Sequence, residues 1–241
     1  MNADRRWCID AVLGSADNGP LVDECRAFRA EVLYDGGRRP QFVDASGRFS
    51  DAQPLDTGGW HITARRTHDG PLVGYVRVAT PLRTTAYQSV AFLGEPAYAA
   101  VLDRFGVASE ATYEHSRLVV ASQARGENLG AYLYALAMAT VRSLGGAAMI
   151  GISGTEDGQF RLYQRFGFDV VPGATRFDSR YGEDVCVIFS RIGTPAGEYE
   201  PLVRDAGALL GARQSGPRRR VPEPSPALET VPVGGHTSTS E

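Results

Sequence analysis

Apolar residues recur at helical spacing through LVDECRAFRAEVL, residues 21–33, directly after the turn-forming run Asp17-Asn18-Gly19-Pro20, which predicts a first helix. The stretch from Asp35 to Gly59 carries glycine and proline without any period and reads as a long ordered loop, a length that in a folded domain points to function. Two β-rich runs follow, WHITARR and LVGYVRVAT, joined by His68-Asp69-Gly70-Pro71, so a hairpin is expected with its turn at Asp69-Gly70. Residues 95–105 predict a short helix. ATYEHSRLVVA, rich in β-formers, predicts the central strand. Leu129, Leu133, Leu136, Ala137, Thr140, Val141 and Leu144 then share one helical face that stops at Gly145-Gly146. AAMIGIS, GQFRLYQRFGF and DVCVIFSRI complete the pattern as strand, helix and strand, an α/β alternation.

The period is lost toward the C-terminus. EYEPLVRDAGALLGAR predicts one last helix, and the Pro-, Ser- and Gly-rich residues beyond it predict disorder. The expected organisation is one domain over 1–194, a C-terminal helix over 195–212 and a disordered tail over 213–241. Hydrophobic residues make up 43% and charged residues 22%, enough apolar content to fold the bulk of the chain. No apolar run approaches a membrane span and the first ten residues lack the apolar core of a signal peptide, so no membrane association and a cytoplasmic place are expected.

Composition narrows the chemistry. Cys8, Cys25 and Cys186 lie far apart, which predicts neither a disulfide framework nor a zinc site, and the four histidines form no ligand spacing, so no metal is expected. All 25 basic residues are arginine, which excludes a Schiff-base lysine. The net charge of −3 gives no general field for nucleic acid. Arg218-Arg219-Arg220 reads as a solvated run.

The strongest local signal is a strand, SRLVVAS, then QARGENLG, then the long amphipathic helix. A helix N-terminus offers unpaired N–H groups and partial positive charge; Gly126 and Gly130 let backbone approach an anion, and Arg125 adds charge-assisted hydrogen bonds. The same residues also suit an ordinary strand-to-helix connection. VVASQARGENLGAYLYALAMATVRSLG resembles the acyl-CoA-binding motif of GNAT (Gcn5-related N-acetyltransferase) enzymes, Arg/Gln-x-x-Gly-x-Gly/Ala, with Arg125, Asn128 and Gly130 on its three positions. Asparagine replaces the middle glycine, and it accepts a left-handed backbone better than most residues. FRLYQRFGFDVV resembles the family's later segment, in which a helix bearing a tyrosine runs into Gly-Phe and a strand; the resemblance makes Tyr163 the acid that protonates the departing thiolate. LVGYVRVATP and YEHSRLVV are similar to the acyl-homoserine-lactone synthase branch, placing Arg77 and the set Glu114, Ser116 and Arg117 on its strand motifs, and Arg29 on its early arginine.

Over residues 21–192 the resemblance implies the GNAT fold, a mixed, mostly antiparallel sheet flanked by helices, of α/β (α+β) class. It implies attack by the amine of a small acceptor on a thioester carried by CoA or by an acyl carrier protein, with Val119 and Val120 beside the donor. Glu114 is the expected base. In a regular strand Glu114 and Ser116 share one face and His115 and Arg117 the other, so His115 is the rival base. Arg29, Arg77, Ser116 and Arg117 are the expected acceptor residues; an internal pairing of the arginines with Asp44, Asp51 or Asp56 is the alternative. Three further readings keep the fold: an aminoacyl-tRNA donor, a homoserine-lactone synthase with S-adenosylmethionine as acceptor, and a catalytically silent binding module.

Overall fold

The computed structural model describes residues 7–37, 39–156 and 159–214. Within them seven strands form one sheet: β1 (Cys8–Leu13), β2 (Gly59–Arg65), β3 (Leu72–Ala79), β4 (Thr112–Val120), β5 (Ala148–Gly154), β6 (Asp169–Asp178) and β7 (Glu183–Arg191). Their order across the sheet is β1-β2-β3-β4-β5-β7-β6. Each neighbouring pair is antiparallel except β4 and β5, which run parallel at the centre. The mostly antiparallel mixed sheet, the β2–β3 hairpin and the central position of residues 112–120 agree with the sequence pattern.

Among the described residues six helices cover the sheet: α1 (Gly19–Tyr34), α2 (Gln88–Leu93), α3 (Glu95–Phe105), α4 (Leu129–Ser143), α5 (Gln159–Arg165) and α6 (Glu200–Gln214). Helices α1, α2 and α3 lie on one face and α4, α5 and α6 on the other. Every residue of β3 is buried, as expected for a strand covered on both sides. Helix α4 seats closely because Gly74 has no side chain; a Cβ there would lie 2.7 Å from Leu133 and 2.9 Å from Leu129. The last described helix spans Glu200–Gln214, and the residues beyond it, where the sequence predicts a disordered tail, lie outside the described residues.

Two irregularities on β4 shape the centre. Pairing with β5 covers only Thr112↔Ala148, Tyr113↔Met149 and Glu114↔Ile150, after which the two strands part. On the other edge, Arg77 pairs with Ser116 but Tyr75 with Val119, so β4 carries one extra residue. That residue is Arg117, at φ 60°. The bulge corrects the expected face pattern: Arg117 joins Ser116 on the α1 side instead of His115 on the α4 side.

Candidate active site

The parting of β4 from β5 leaves the second half of β4 without a strand partner on that edge among the described residues. The loop between β4 and α4 sits at its mouth. Gly126 at φ 83° and Asn128 at φ 59° both take the left-handed conformation, and Asn128 is the residue immediately before α4. Asparagine thus fills a glycine-type position without reshaping the loop. Arg125 is exposed, its Nε 3.4 Å from the Val120 carbonyl oxygen. A Cβ on Gly130 would make only ordinary contact with Val120, so its lack of side chain opens the approach to the loop and is not needed for packing. A cavity of about 460 Å³ runs from here along β4, bounded by Arg125, Gly130, Val119, Val120, Leu118 and Leu162.

A second cavity of about 100 Å³ continues toward the bulge, bounded by His115, Ser116, Arg117, Tyr163, Gln88 and Tyr181. One of its arginines is held by carboxylate: Arg117 Nε donates to Asp51 Oδ2 at 2.8 Å and Nη2 to Asp51 Oδ1 at 3.1 Å. Asp51 also accepts from Arg29 Nε at 2.9 Å. Asp56 lies beside it and takes Arg29 Nη1 at 2.8 Å, Arg77 Nη1 at 2.7 Å and Arg26 Nε at 2.9 Å. Arg77 donates further to Ser116 Oγ and to Gln53 Oε1. Arg29 and Arg77 are fully buried and line neither cavity.

Burial opposes the charge on Asp56, but Arg29 and Arg77 outweigh it and hold the carboxyl well below its usual range. Burial likewise opposes the Arg29 charge, and Tyr75, Asp56 and Asp51 more than offset it. For Arg77 burial prevails, with the neighbouring Arg29 charge adding to it, and its pKa is lowered. Four guanidiniums thus share two carboxylates, so the internal pairing with Asp51 and Asp56 is what the structure shows, while Ser116 and Arg117 also face a cavity.

Glu114 stands elsewhere. It is fully buried and lines neither cavity. Both its oxygens accept from the start of α2: Gln88 N at 2.9 Å, Ser89 N at 2.8 Å and Ser89 Oγ at 2.7 Å. Burial raises its pKa against these donors. The expected arrangement of Glu114 and Tyr163 on either side of one thioester is therefore not formed; strand alternation sends Glu114 to the α2 face. The carboxylate fixes α2, and α2 brings Gln88 to the cavity.

His115 points the other way, into a ring cluster with Tyr134 at 5.1 Å, Tyr163 at 5.0 Å and Phe168 at 5.3 Å between centroids. Gly151 makes room for it, since a Cβ there would lie 2.4 Å from His115 Nε2. Neither ring nitrogen has a partner, and burial pushes the imidazole down to about 3. The ring is neutral and a poor proton acceptor. Tyr163 comes from α5 and borders the smaller cavity; burial pushes its phenol up, so the hydroxyl keeps its proton.

Solved structures share this fold. A CoA-dependent acyl-homoserine lactone synthase, MesI, is 16% identical, with 83% of this chain and 95% of that chain covered and a TM-score of 0.57. The CoA-dependent acyl-homoserine lactone synthase BjaI, solved with SAM and isopentyl-CoA, is 17% identical over 88% of this chain and 91% of that one, with a TM-score of 0.57. The AHL synthase LasI gives 14% identity, coverage of 80% and 93%, and a TM-score of 0.55. The chain has the GNAT fold. No family model and no curated protein matches the sequence. In this GNAT-fold chain, no group of three or more metal-ligating residues gathers among the described residues, and no described helix is long and apolar enough to cross a membrane.

Sequence reasoning missed Gln53, Gln88 and Tyr181, which tie the arginines to the cavity wall. None of them carries a signal in one dimension. Gln53 stands in a loop without period, and Gln88 opens a helix of six residues.

Proposed function

We propose that this chain is an acyltransferase that moves an acyl group from a CoA or carrier-protein thioester to the amine of a small acceptor. The observation that carries this reading is the single path from the Arg125 to Gly130 loop, along the unpartnered edge of β4, to Tyr163. The loop and the first turn of α4 take the donor's phosphates. Backbone groups of β4 released by the parted strands meet its amides. The thioester then lies beside Tyr163, which protonates the thiolate as the C–S bond breaks. Ser116 and Arg117 meet the acceptor, with Asp51 and Gln88 behind them fixing Arg117 in place. Glu114 acts as a positioning residue through α2.

The acceptor reading that fits best is S-adenosylmethionine, as in a homoserine-lactone synthase. Support comes from Asp51 and Asp56, two loop acids that meet Arg29, Arg77 and Arg117, and from the likeness in fold to BjaI solved with SAM.

The test is to incubate the purified chain with acetyl-, butyryl-, hexanoyl- and octanoyl-CoA and with S-adenosylmethionine or single amino acids, recording acylated product by mass and thiol release. An acylated homoserine lactone supports the specific acceptor; an acylated amine of another kind keeps acyl transfer and removes S-adenosylmethionine. Donor binding without product points to a silent module, and activity abolished by ribonuclease points to an aminoacyl-tRNA donor. In an active preparation Tyr163→Phe should lower kcat by about 10²–10⁴-fold with folding intact, the usual contribution of a positioned acid.

A further inference from the structure

Arg39 lies in the loop between α1 and β2 and belongs to none of the motifs. Its side chain is only 12% exposed, and it borders both cavities. The described residues common to the two are Leu33, Arg39, Leu118, Val119 and Gln159, and Arg39 is the charged group among them. Gln159 is committed in part to the Leu118 carbonyl, 3.2 Å from its Nε2. The Arg39 guanidinium is held from behind: Nη2 donates to Glu183 Oε1 at 3.2 Å, and the group lies over the Tyr181 ring at 5.7 Å. Its Nε is buried with no hydrogen-bond partner among the described residues. A buried donor without an acceptor is costly, and a transient anion at this place would give it one.

On the acyl-transfer reading above, donor and acceptor meet where the two cavities meet. The amine nitrogen adds to the thioester carbon, a C–N bond forms, and the carbonyl electron pair moves onto oxygen. The oxyanion then collapses, the C–S bond breaks, the thiolate takes the Tyr163 proton, the amine proton is lost to solvent, and Tyr163 regains a proton from solvent. We propose that Arg39 is a catalytic residue, its guanidinium donating to the thioester oxygen and stabilising the oxyanion at the junction of the cavities. A preorganised donor in a water-poor site is well suited to this because its orientation is set before charge develops. The geometry favours this over an acceptor clamp, since Arg39 also borders the donor cavity and Arg117 does not.

The experiment measures kcat, acceptor KM and donor affinity for Arg39→Gln, Arg39→Lys and Gln41→Ala, with the melting temperature of each, using the acyl-CoA and acceptor pair on which the wild-type chain turns over. Gln41→Ala is the control for loop seating, because Gln41 Nε2 makes another tie from the same loop, 2.8 Å to the Arg180 carbonyl. The expected result is a fall of about 10²–10³-fold in kcat for Arg39→Gln, typical of one lost oxyanion donor. Partial recovery is expected in Arg39→Lys, with unchanged donor affinity throughout and Gln41→Ala within about twofold of wild type. A rise in acceptor KM with kcat retained overturns the assignment, as does an equal fall in Gln41→Ala. An Arg39→Gln chain that fails to fold leaves the decision to Arg39→Lys, where full kcat likewise overturns it. Absence of transfer by the wild-type chain with every donor overturns the functional reading itself and takes this assignment with it.

Discussion

Two buried clusters stand back to back on β4, and they treat polar groups in opposite ways. On the α1 face, Asp51 and Asp56 side chains bind Arg29, Arg77 and Arg117 at 2.7–3.2 Å, and Tyr75 and Ser116 take further donors. On the α4 face, His115 and Tyr134 are as deeply buried, yet neither ring nitrogen of the one nor the hydroxyl of the other has a partner. The first cluster is built of charges that need each other. The second is an apolar core with polar atoms left over. Burial alone therefore does not tell which polar residue holds the fold together; the partner list does.

The largest expected effect comes from breaking the matched side. Asp56→Ala takes from buried Arg29 one of its two carboxylate partners and from buried Arg77 the carboxylate it pairs with, and removal of one member of such a set typically costs about 3–5 kcal/mol. Urea unfolding should show this as a lower midpoint with an unchanged slope. A loss below about 1 kcal/mol would mean that water or a rearranged Asp51 replaces the carboxylate, and the contrast between the faces would go.

The unmatched side should respond to pH. In the unfolded chain His115 takes its proton near its ordinary pKa of about 6.5, whereas the folded ring resists until about 3. Between these values the unfolded state binds more protons, so stability falls as pH falls through this window, by up to about 1.4 kcal/mol per pH unit. His61, lowered to about 4 chiefly by burial, acts in the same sense. His115→Phe keeps the ring shape and removes two unpartnered nitrogens. It should match or exceed the wild type at neutral pH, with the gap widening toward about pH 5 as the His61 contribution cancels in the difference. Equal pH slopes for the two chains would show that His115 finds a proton partner in solution.

How much of this was readable in one dimension follows the same division. Long elements with a strong period, α1, α4 and β3, declare themselves, and so does the loop from Arg125 to Gly130 through its glycines. β6 does not, because Pro172 and Gly173 interrupt it; it is an edge strand whose register shifts between Val170 and Thr175, where such residues are tolerated. β1 is six residues on the other edge with Asp10 inside it, and α2 spans less than two turns. In the site, Arg77, Ser116 and Arg117 were legible as strand motifs. Arg117's face was not, since a bulge is one added residue with no mark in the pattern. Asp51 and Asp56 were visible only as candidate partners, because which acid of a 25-residue loop meets which arginine is decided by the folded path of that loop. Arg39 had no signal at all.

Arg125 gives the smallest expected effect and the sharpest use of the contrast, because it sets an arginine in a third environment. It is exposed at the mouth of the larger cavity, its described hydrogen bond a long one to Val120. Solvent screens an exposed guanidinium and satisfies it when no ligand is present, so Arg125→Ala should leave the melting temperature within about one degree. The donor phosphates, in contrast, should lose one charge-assisted contact. Titration with CoA should show binding weakened by about three- to tenfold, and added salt should narrow the difference between variant and wild type. A weakening that persists at high salt would mean that Arg125 shapes the loop instead of supplying charge. Unchanged affinity at low salt would place the donor's phosphates away from this loop and remove the mouth of the proposed path.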